Sequence, residues 1–289
     1  MNYTIKTKEM TYTVEQLGAQ LISAQSNDKF EYIWQRNPAV WSQCAPILFP
    51  ICGRISDETY RHNGESYHMT THGFFRSSNP RVIKQTENSL EFILCDNEAT
   101  RQEYPFNFSV RLTFTAKGKS LTVKSVITNS GNGTMPFMYG GHPGFKLPLE
   151  ENLSTSDYYL DFKQDGLQIY PMRPAVPFFY NDPLDYPLNN GKLDLTKKKL
   201  HDGRTLVFGG SNQVRLASDK GTRAVSVEYG DFDFIGFWQD ALEGADYVCI
   251  EPWSGIPLGD EIENFETRSY MERLAPGASK TFEYTIHFE

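Results

Sequence analysis

Apolar and polar residues alternate along several long parts of this sequence. A period of two places successive side chains on opposite faces of an extended chain, and it is typical of a half-buried β-strand. The alternation predicts strands in residues 89–97 (SLEFILCDN), 108–129 (FSVRLTFTAKGKSLTVKSVITN), 223–240 (RAVSVEYGDFDFIGFWQD) and 280–289 (KTFEYTIHFE). Residues 13–24 (TVEQLGAQLISA) show some helical spacing, but Gly18 interrupts it, and we interpret this segment as strand-like too.

Within residues 108–129, the pattern predicts a hairpin with two different faces. The sequence AKGKS separates two alternating runs, and a glycine there is typical of a tight hairpin turn. In the second run, one face carries Leu121, Val123, Ser125 and Ile127, and the other carries Thr122, Lys124, Val126 and Thr128. One largely apolar face beside one mixed face indicates a sheet that packs against another sheet.

Proline and glycine interrupt residues 171–191 (PMRPAVPFFYNDPLDYPLNNG), which we therefore predict to be mostly loop, because proline removes ladder donors. The chain shows neither a low-complexity linker nor an exact internal repeat. All-β sandwiches can reach roughly 200–250 residues as one unit. We therefore predict an all-β fold, a large antiparallel β-sandwich, formed by one domain over residues 1–289.

The composition agrees with β structure and argues against a nucleic-acid partner. Aromatic residues reach 14%, and flat side chains pack well on pleated sheets, although some could also line a sugar pocket. The net charge is −8, and the sequence has no dense basic run of the kind that binds phosphate backbones. We interpret the short cluster Lys197 to Lys199, between Asp194 and Asp202, as a solvated turn.

The cysteines and the hydrophobic segments bear on the cellular environment. The four cysteines, at positions 44, 52, 95 and 249, match neither a CxxC metal pair nor a dense disulfide framework. The sequence MNYTIKTKEMTYTV has no apolar signal core, and no segment approaches the ~18 apolar residues of a membrane span. We expect a reduced cytoplasmic protein with no membrane partner.

Two stretches offer cationic groups suited to binding oxygen atoms. In CAPILFPICGRISDETY (44–60), Arg54 follows a glycine and can present its donor fork in a cleft, or it can pair at the surface with Asp57 or Glu58. In THGFFR (71–76), His72 and Arg76 would share a face of an extended segment because their separation is even. His72 could equally be an ordinary turn residue.

Two further stretches offer groups that transfer protons. His142 lies in MYGGHPGFKLPL (138–149), where we expect the chain to leave a strand and turn. Histidine titrates near neutral pH, so His142 could exchange a proton, or it could simply be a turn residue bonded to backbone. Glu251, in YVCIEPWSGIPLGDE (247–261), ends an apolar run beside an aromatic residue and could act as a base, or it could be an ion-paired loop residue.

Motifs for other chemistries do not occur. The chain has no GxGxxG after a strand, and it has no GxxxxGK[ST], HExxH or GxSxG. Its histidines, at positions 62, 68, 72, 142, 201 and 287, lack the helical i, i+4 pairing of a zinc helix. We therefore expect neither a metal nor a cofactor.

Four motifs in order, NPAVWSQCAPILFPICGR, HGFFR, GGHPGF and CIEPWSG, closely resemble the aldose 1-epimerase (galactose mutarotase) family, and especially its LacX-like branch. The resemblance spans about residues 30–260. It implies a large sandwich of antiparallel sheets with a sugar cleft and no cofactor. It also implies that His142 and Glu251 carry the chemistry.

The resemblance assigns further residues to sugar binding. It places a substrate-binding arginine at Arg54, a second cleft position at His72, and a phosphate-binding arginine at Arg76. Asp202 is the candidate for a cleft aspartate of the family, and Trp238 is expected to line the cleft. The chain departs from classical galactose mutarotases in having GGHPGF around the histidine, so the preferred sugar is left open.

The resemblance implies interconversion of the α and β anomers of a hexose, such as galactose, or of a hexose phosphate. Glu251 would take the O1 proton, and His142 would protonate the ring oxygen O5. A binding or sensing protein on the same scaffold is an alternative, because fold does not fix function. Glycoside hydrolysis needs a second carboxylate as partner of Glu251, and no motif selects one.

Overall fold

The computed structural model describes residues 1–174, 176, 178–195, 203–258 and 263–289. Strands dominate this part of the chain. They are β1 (Asn2–Lys6), β2 (Met10–Glu15), β3 (Gln20–Ser26), β4 (Ile47–Leu48), β5 (Thr59–His62), β6 (Glu65–His68), β7 (Arg81–Gln85), β8 (Ser89–Cys95), β9 (Phe108–Lys117), β10 (Ser120–Asn129), β11 (Met135–Phe137), β12 (Gly140–Gly141), β13 (Gly144–Lys146), β14 (Tyr159–Asp161), β15 (Leu167–Tyr170), β16 (Leu184–Tyr186), β17 (Lys192–Asp194), β18 (Leu206–Gly209), β19 (Gln213–Ala217), β20 (Val225–Glu228), β21 (Phe234–Trp238), β22 (Tyr247–Trp253), β23 (Glu263–Asn264), β24 (Glu272–Leu274) and β25 (Ser279–Phe288).

Helical structure is short throughout the described residues. One α-helix, α1, covers Glu98–Glu103 and begins with a capping box between Asn97 and Thr100. Single 3₁₀ turns occupy Leu17–Ala19, Ser56–Glu58, Phe75–Ser77 and Thr155–Asp157. The all-β prediction is confirmed.

Two large sheets form the framework. Over the described residues, nine strands run in the order β17-β14-β19-β20-β25-β10-β9-β8-β7, and eight strands form a second sheet in the order β16-β15-β18-β21-β22-β12-β4, with β13 also paired to β22. Neighbouring strands in both sheets are antiparallel. Smaller sheets join β1-β2-β3, β11-β24 and β23-β5-β6.

The buried face of β10 packs in the interior between these sheets. Its odd-numbered positions Leu121, Val123, Ser125 and Ile127 are buried, as the alternation predicted, and the intervening side chains are more exposed. The Ser125 hydroxyl hydrogen-bonds the hydroxyl of Tyr139, which leads into β12 of the other sheet. The Tyr139 ring also stacks on Phe282 of β25 with 5.3 Å between centroids. These contacts join the two sheets across one core.

Two of the predicted strand segments turn out to be composite. Residues 223–240 contain β20 and β21, which belong to different large sheets. Burial alternates along β20, whereas in β21 every residue from Phe234 to Phe237 is buried, so the two strands do not share one burial pattern. Residues 13–24 contain the end of β2, a 3₁₀ turn and the start of β3, with Gly18 in the turn at a φ of 67°.

Four further expectations concern the proline-rich region, the cysteines, the lysine cluster and membrane spans. Residues 171–191 are mostly loop where the structure describes them, with β16 as a short strand. The four cysteines are free thiols, and Cys95 is the exposed one. Lys197 to Lys199 lie outside the described residues. Among the described helices, none is long and apolar enough to cross a membrane.

Candidate functional site

A cleft of about 310 Å³ opens beside the eight-stranded sheet. Six residues that the sequence singled out line it: Arg54, His72, Arg76, His142, Trp238 and Glu251. His142, Trp238 and Glu251 lie in or between strands of this sheet, whereas Arg54, His72 and Arg76 come from segments outside its strands. The volume is at the lower end of the range for small-molecule sites.

His142 and Glu251 face each other across neighbouring strands. Gly140 lies opposite Trp253 and Gly144 lies opposite Cys249, so the register between them places His142 opposite Glu251. The His142 Nε2 atom is 3.1 Å from Glu251 Oε2. The imidazole therefore occupies an interrupted strand between β12 and β13, and not the open turn that the sequence suggested.

Both members of this pair are buried. His142 is 6% exposed and Glu251 is 0% exposed, so Glu251 is a strand residue of β22 and not an ion-paired loop residue. Burial lowers the pKa of His142 to about 3. Burial also raises the pKa of Glu251 well above its ordinary value, and the Trp253 indole opposes this shift. Desolvation thus favours the form in which each group is neutral.

The pair consequently shares a single ionisable proton near neutral pH. Either Glu251 carries it beside a neutral imidazole, or His142 carries it beside a carboxylate, and the two forms differ only in proton position. Groups this close titrate as a unit. At one end of the cleft, the site therefore offers one acid and one base within hydrogen-bond reach of each other.

Glycines allow the strands around this pair to approach closely. A Cβ at Gly140 would lie 2.9 Å from the Pro252 carbonyl oxygen, and one at Gly141 would lie 2.8 Å from the Tyr284 hydroxyl. A Cβ at Gly144 would lie 2.7 Å from the Trp41 ring. The glycines of GGHPGF are therefore required by packing against the sheet beneath and the cleft wall, not by a turn conformation.

Aromatic rings enclose the imidazole of His142. The Trp41 ring centroid is 5.2 Å from it, the Trp238 centroid 5.8 Å, and the His72 centroid 5.3 Å. The Trp238 indole donates a hydrogen bond of 3.1 Å to the Gly203 carbonyl, which holds the ring in the cleft wall. Flat apolar faces next to polar groups suit a ligand such as a sugar, which has both kinds of surface.

Two reciprocal hydrogen bonds hold His72. Its backbone N–H donates to the Gly53 carbonyl at 2.7 Å, and the Gly53 N–H donates to His72 Nδ1 at 3.0 Å. The Nδ1 atom is therefore the acceptor, and Nε2 carries the proton of the neutral ring. The pKa of His72 is well below its usual value, because of burial and then of the charges of His142, Arg76 and Arg54. His72 thus supplies a neutral N–H donor.

His72 and Arg76 both reach the cleft, but not through the extended segment that the sequence predicted. His72 has a φ of 64°, and Arg76 lies in the 3₁₀ turn Phe75–Ser77, so the segment is not extended. Both side chains nevertheless line the cleft. A left-handed backbone is uncommon at a residue other than glycine.

The two cleft arginines differ in their surroundings. Arg54 is exposed and makes no ion pair with Asp57 or Glu58 within the described part of the chain. Arg76 is partly buried, and its Nη1 donates to Gln43 Oε1 at 3.2 Å. Burial lowers the pKa of the Arg76 guanidinium from its usual value, although it stays charged.

Several residues that line the cleft were not predicted from the sequence, and one predicted residue has no described position. Asp202 lies outside the described residues. The missed lining residues include Trp41, Gln43, Met172, Phe179, Thr205 and Trp253. Trp41 and Trp253 belong to the quoted motifs, so their aromatic character was the available signal. Met172 and Phe179 come from the proline-rich loop, where no periodicity marks a cleft.

Comparisons with known proteins agree with this architecture. The sequence model of the aldose 1-epimerase family matches residues 1–287. The chain is 30% identical to the chromosomal protein LacX of Lactococcus lactis over 99% of both chains. It is 23% identical to the protein YphB of Escherichia coli over 86% of this chain and 84% of that protein.

Solved structures show the same fold. A galactose mutarotase related enzyme from Lactobacillus acidophilus superposes with a TM-score of 0.92 at 31% identity, covering 100% of this chain and 97% of the other. A galactose mutarotase-like protein from Lactobacillus casei gives a TM-score of 0.93 at 26% identity, with both chains fully covered. The match of the family model over nearly the whole length and the similarity to LacX show that this chain belongs to the aldose 1-epimerase family.

Proposed function

We propose that this protein is a mutarotase that interconverts the α and β anomers of a hexose or hexose phosphate. The observation that carries the proposal is the buried His142–Glu251 pair, with 3.1 Å between Nε2 and Oε2, at the cleft. Anomer interconversion needs one group that accepts a proton and one that donates a proton on either side of a hemiacetal. Family membership and the mutarotase-like structures support the same activity.

In the proposed reaction, the Glu251 carboxylate takes the proton from the anomeric hydroxyl O1 while protonated His142 donates to the ring oxygen O5. The C1–O5 bond breaks as the C1–O1 bond gains double-bond character, which gives the open aldehyde. Rotation about C1–C2 exposes the other face of the carbonyl. Ring closure returns the O5 proton to His142 and the Glu251 proton to O1, so the atoms balance and the pair is restored.

Both proton arrangements of the pair occur in each turnover. The ion-paired form opens the ring, and the neutral form accompanies the open aldehyde. Because burial favours the neutral form, the site stabilises the arrangement that coexists with the intermediate.

The other cleft residues would bind the sugar. The Nε2–H of His72 and the exposed guanidinium of Arg54 would donate to hydroxyl groups and to charge that develops on oxygen. The Trp238 ring would cover an apolar face of the sugar. Arg76, held by Gln43, would bind the phosphate of a hexose 6-phosphate.

A two-part experiment tests this function against sugar binding alone. Calorimetry measures binding, and exchange NMR measures α-to-β interconversion, across galactose, glucose, tagatose and their 6-phosphates. We expect at least one sugar both to bind and to interconvert faster than in buffer. Binding without any acceleration would contradict the proposal and would identify a sugar-binding or sensing protein.

A further inference from the structure

A third potential ligand lies beside the proton-transfer pair. The Cys249 sulfur, a nitrogen of His142 and a carboxylate oxygen of Glu251 all lie within 4.8 Å of one another. All three residues are buried, with exposed fractions of 0% for Cys249 and Glu251 and 6% for His142. Cys249 has no part in the proposed sugar reaction, so its position there calls for an explanation of its own.

The strand register creates this cluster. Cys249 and Glu251 are two residues apart on β22, so their side chains lie on the same face. Gly144 is opposite Cys249, with the Trp41 ring packed against it, and His142 is opposite Glu251. On the other side of β22, Gly236 lies opposite Glu251 and adds no side chain.

The donor set suits zinc better than magnesium or calcium. Thiolate, imidazole and carboxylate are the usual zinc ligands, and three of them with one open position form a common zinc site. With bonds of about 2.0–2.3 Å, the ligand atoms of a tetrahedral zinc ion lie about 3.3–3.6 Å apart. The 3.1 Å between His142 Nε2 and Glu251 Oε2 is close to that spacing.

Charge also favours a divalent cation. A thiolate and a carboxylate together neutralise a 2+ ion, which removes the main cost of burying it. Besides the His142 imidazole, 3.1 Å from Oε2, and the Trp253 indole, the described residues give the Glu251 carboxylate no polar partner. A buried carboxylate with so few partners keeps acceptor capacity for an ion, and the cleft beside it leaves access for the ion and a fourth ligand.

We propose that His142, Cys249 and Glu251 form a binding site for a thiophilic divalent cation such as Zn²⁺. The second half of the inference rests on the proposed function: the bound ion occupies both proton-transfer groups and inhibits anomer interconversion. Spacing in the sequence could not show this site, because its ligands come from two strands that are distant along the chain.

Calorimetric titration of the full-length, metal-free protein with ZnCl₂ tests the site. We expect wild type to bind one equivalent, and Cys249→Ser and His142→Asn each to bind at least about 100-fold more weakly, because even changes around a metal's direct ligands cost 10–100-fold. Cys95→Ser, at the exposed cysteine, is the matched control and should bind as wild type does. Titration with Co²⁺ should give a thiolate charge-transfer band in wild type that Cys249→Ser lacks.

Equal zinc affinity in wild type and Cys249→Ser would overturn the site, as would a Co²⁺ spectrum without the thiolate band. His142→Asn provides the second variant if Cys249→Ser does not fold. In the activity arm, zinc should inhibit wild type and Cys95→Ser at the concentration at which it binds, while Cys249→Ser with zinc keeps the rate that it has without zinc. Cys249-dependent zinc binding in a protein that never interconverts sugars would sustain the site and refute the proposed function.

Discussion

The buried imidazole of His142 should make the protein less stable in mild acid by a measurable amount. The comparison uses Glu251→Gln and the double variant Glu251→Gln/His142→Asn. Both lack the Glu251 carboxyl, whose own titration would otherwise oppose the effect, and they differ only at position 142. All other titrating groups cancel between the two proteins.

The size of this loss in stability follows from the pKa of His142 in the folded protein and in the unfolded chain. Burial lowers it to about 3 in the folded protein, whereas the unfolded chain has the ordinary value near 6.5. Below pH 6.5 the unfolded chain therefore binds a proton that the folded protein does not, and the free energy of unfolding falls as the pH falls. At about 1.4 kcal/mol per pH unit, the loss due to His142 is about 2 kcal/mol at pH 5 and close to zero at pH 7.5.

Urea unfolding at both pH values measures the effect, with a metal chelator present. Between pH 7.5 and pH 5, Glu251→Gln should lose about 2 kcal/mol more unfolding free energy than the double variant. If the two proteins lost the same amount, His142 would protonate in the folded state as an exposed histidine does. The account of the buried pair would then be wrong.

Three further predictions concern packing, pH and phosphate. Gly141→Ala should cost about 1–3 kcal/mol of unfolding free energy, because its Cβ would lie 2.8 Å from the Tyr284 hydroxyl. Gly133→Ala is the control and should cost no such amount, because a Cβ there meets nothing within 4 Å. Equal thermal unfolding of the two variants would contradict the packing argument. The value of kcat/KM, corrected for the uncatalysed reaction, should stay level from pH 7.5 to pH 5. Burial lowers the pKa of His142 to about 3, so the neutral imidazole does not take up a further proton in this range. A fall in kcat/KM centred near pH 6.5 would refute the prediction. Arg76→Ala should lower kcat/KM for glucose 6-phosphate by at least about tenfold more than for glucose, because it removes a charge-assisted hydrogen bond to the phosphate. Equal effects on both sugars would exclude a phosphate-binding role for Arg76.

The sequence predicted the strands well because burial on one face leaves a direct period-two record. Leu121, Val123, Ser125 and Ile127 show it, and all are buried. The same record could not show that residues 223–240 change sheets, because β20 and β21 both contribute buried residues to one hydrophobic core. Alternation reports which side of a strand is buried, but not which sheet the strand joins.

The candidate site was predictable as a set of residues but not as a geometry. Motif order singled out His142 and Glu251, yet only the strand register places them opposite each other. The sequence suggested an open turn for His142 because its glycines resemble turn residues, whereas the structure uses them for close packing. Cys249 belongs to the CIEPWSG motif, but nothing in the sequence assigned it a role, and its relevance depends on sharing a face of β22 with Glu251.

The most direct test of the central claim is the rate at which freshly dissolved α-anomers interconvert with wild type, His142→Asn and Glu251→Gln, followed by polarimetry or NMR. Each proton-transfer group typically contributes 10²–10⁴-fold, so each variant should lose about that much activity. Calorimetry on the same preparations should show that the sugar still binds. Nearly full activity in either variant would contradict the claim that this pair moves the protons.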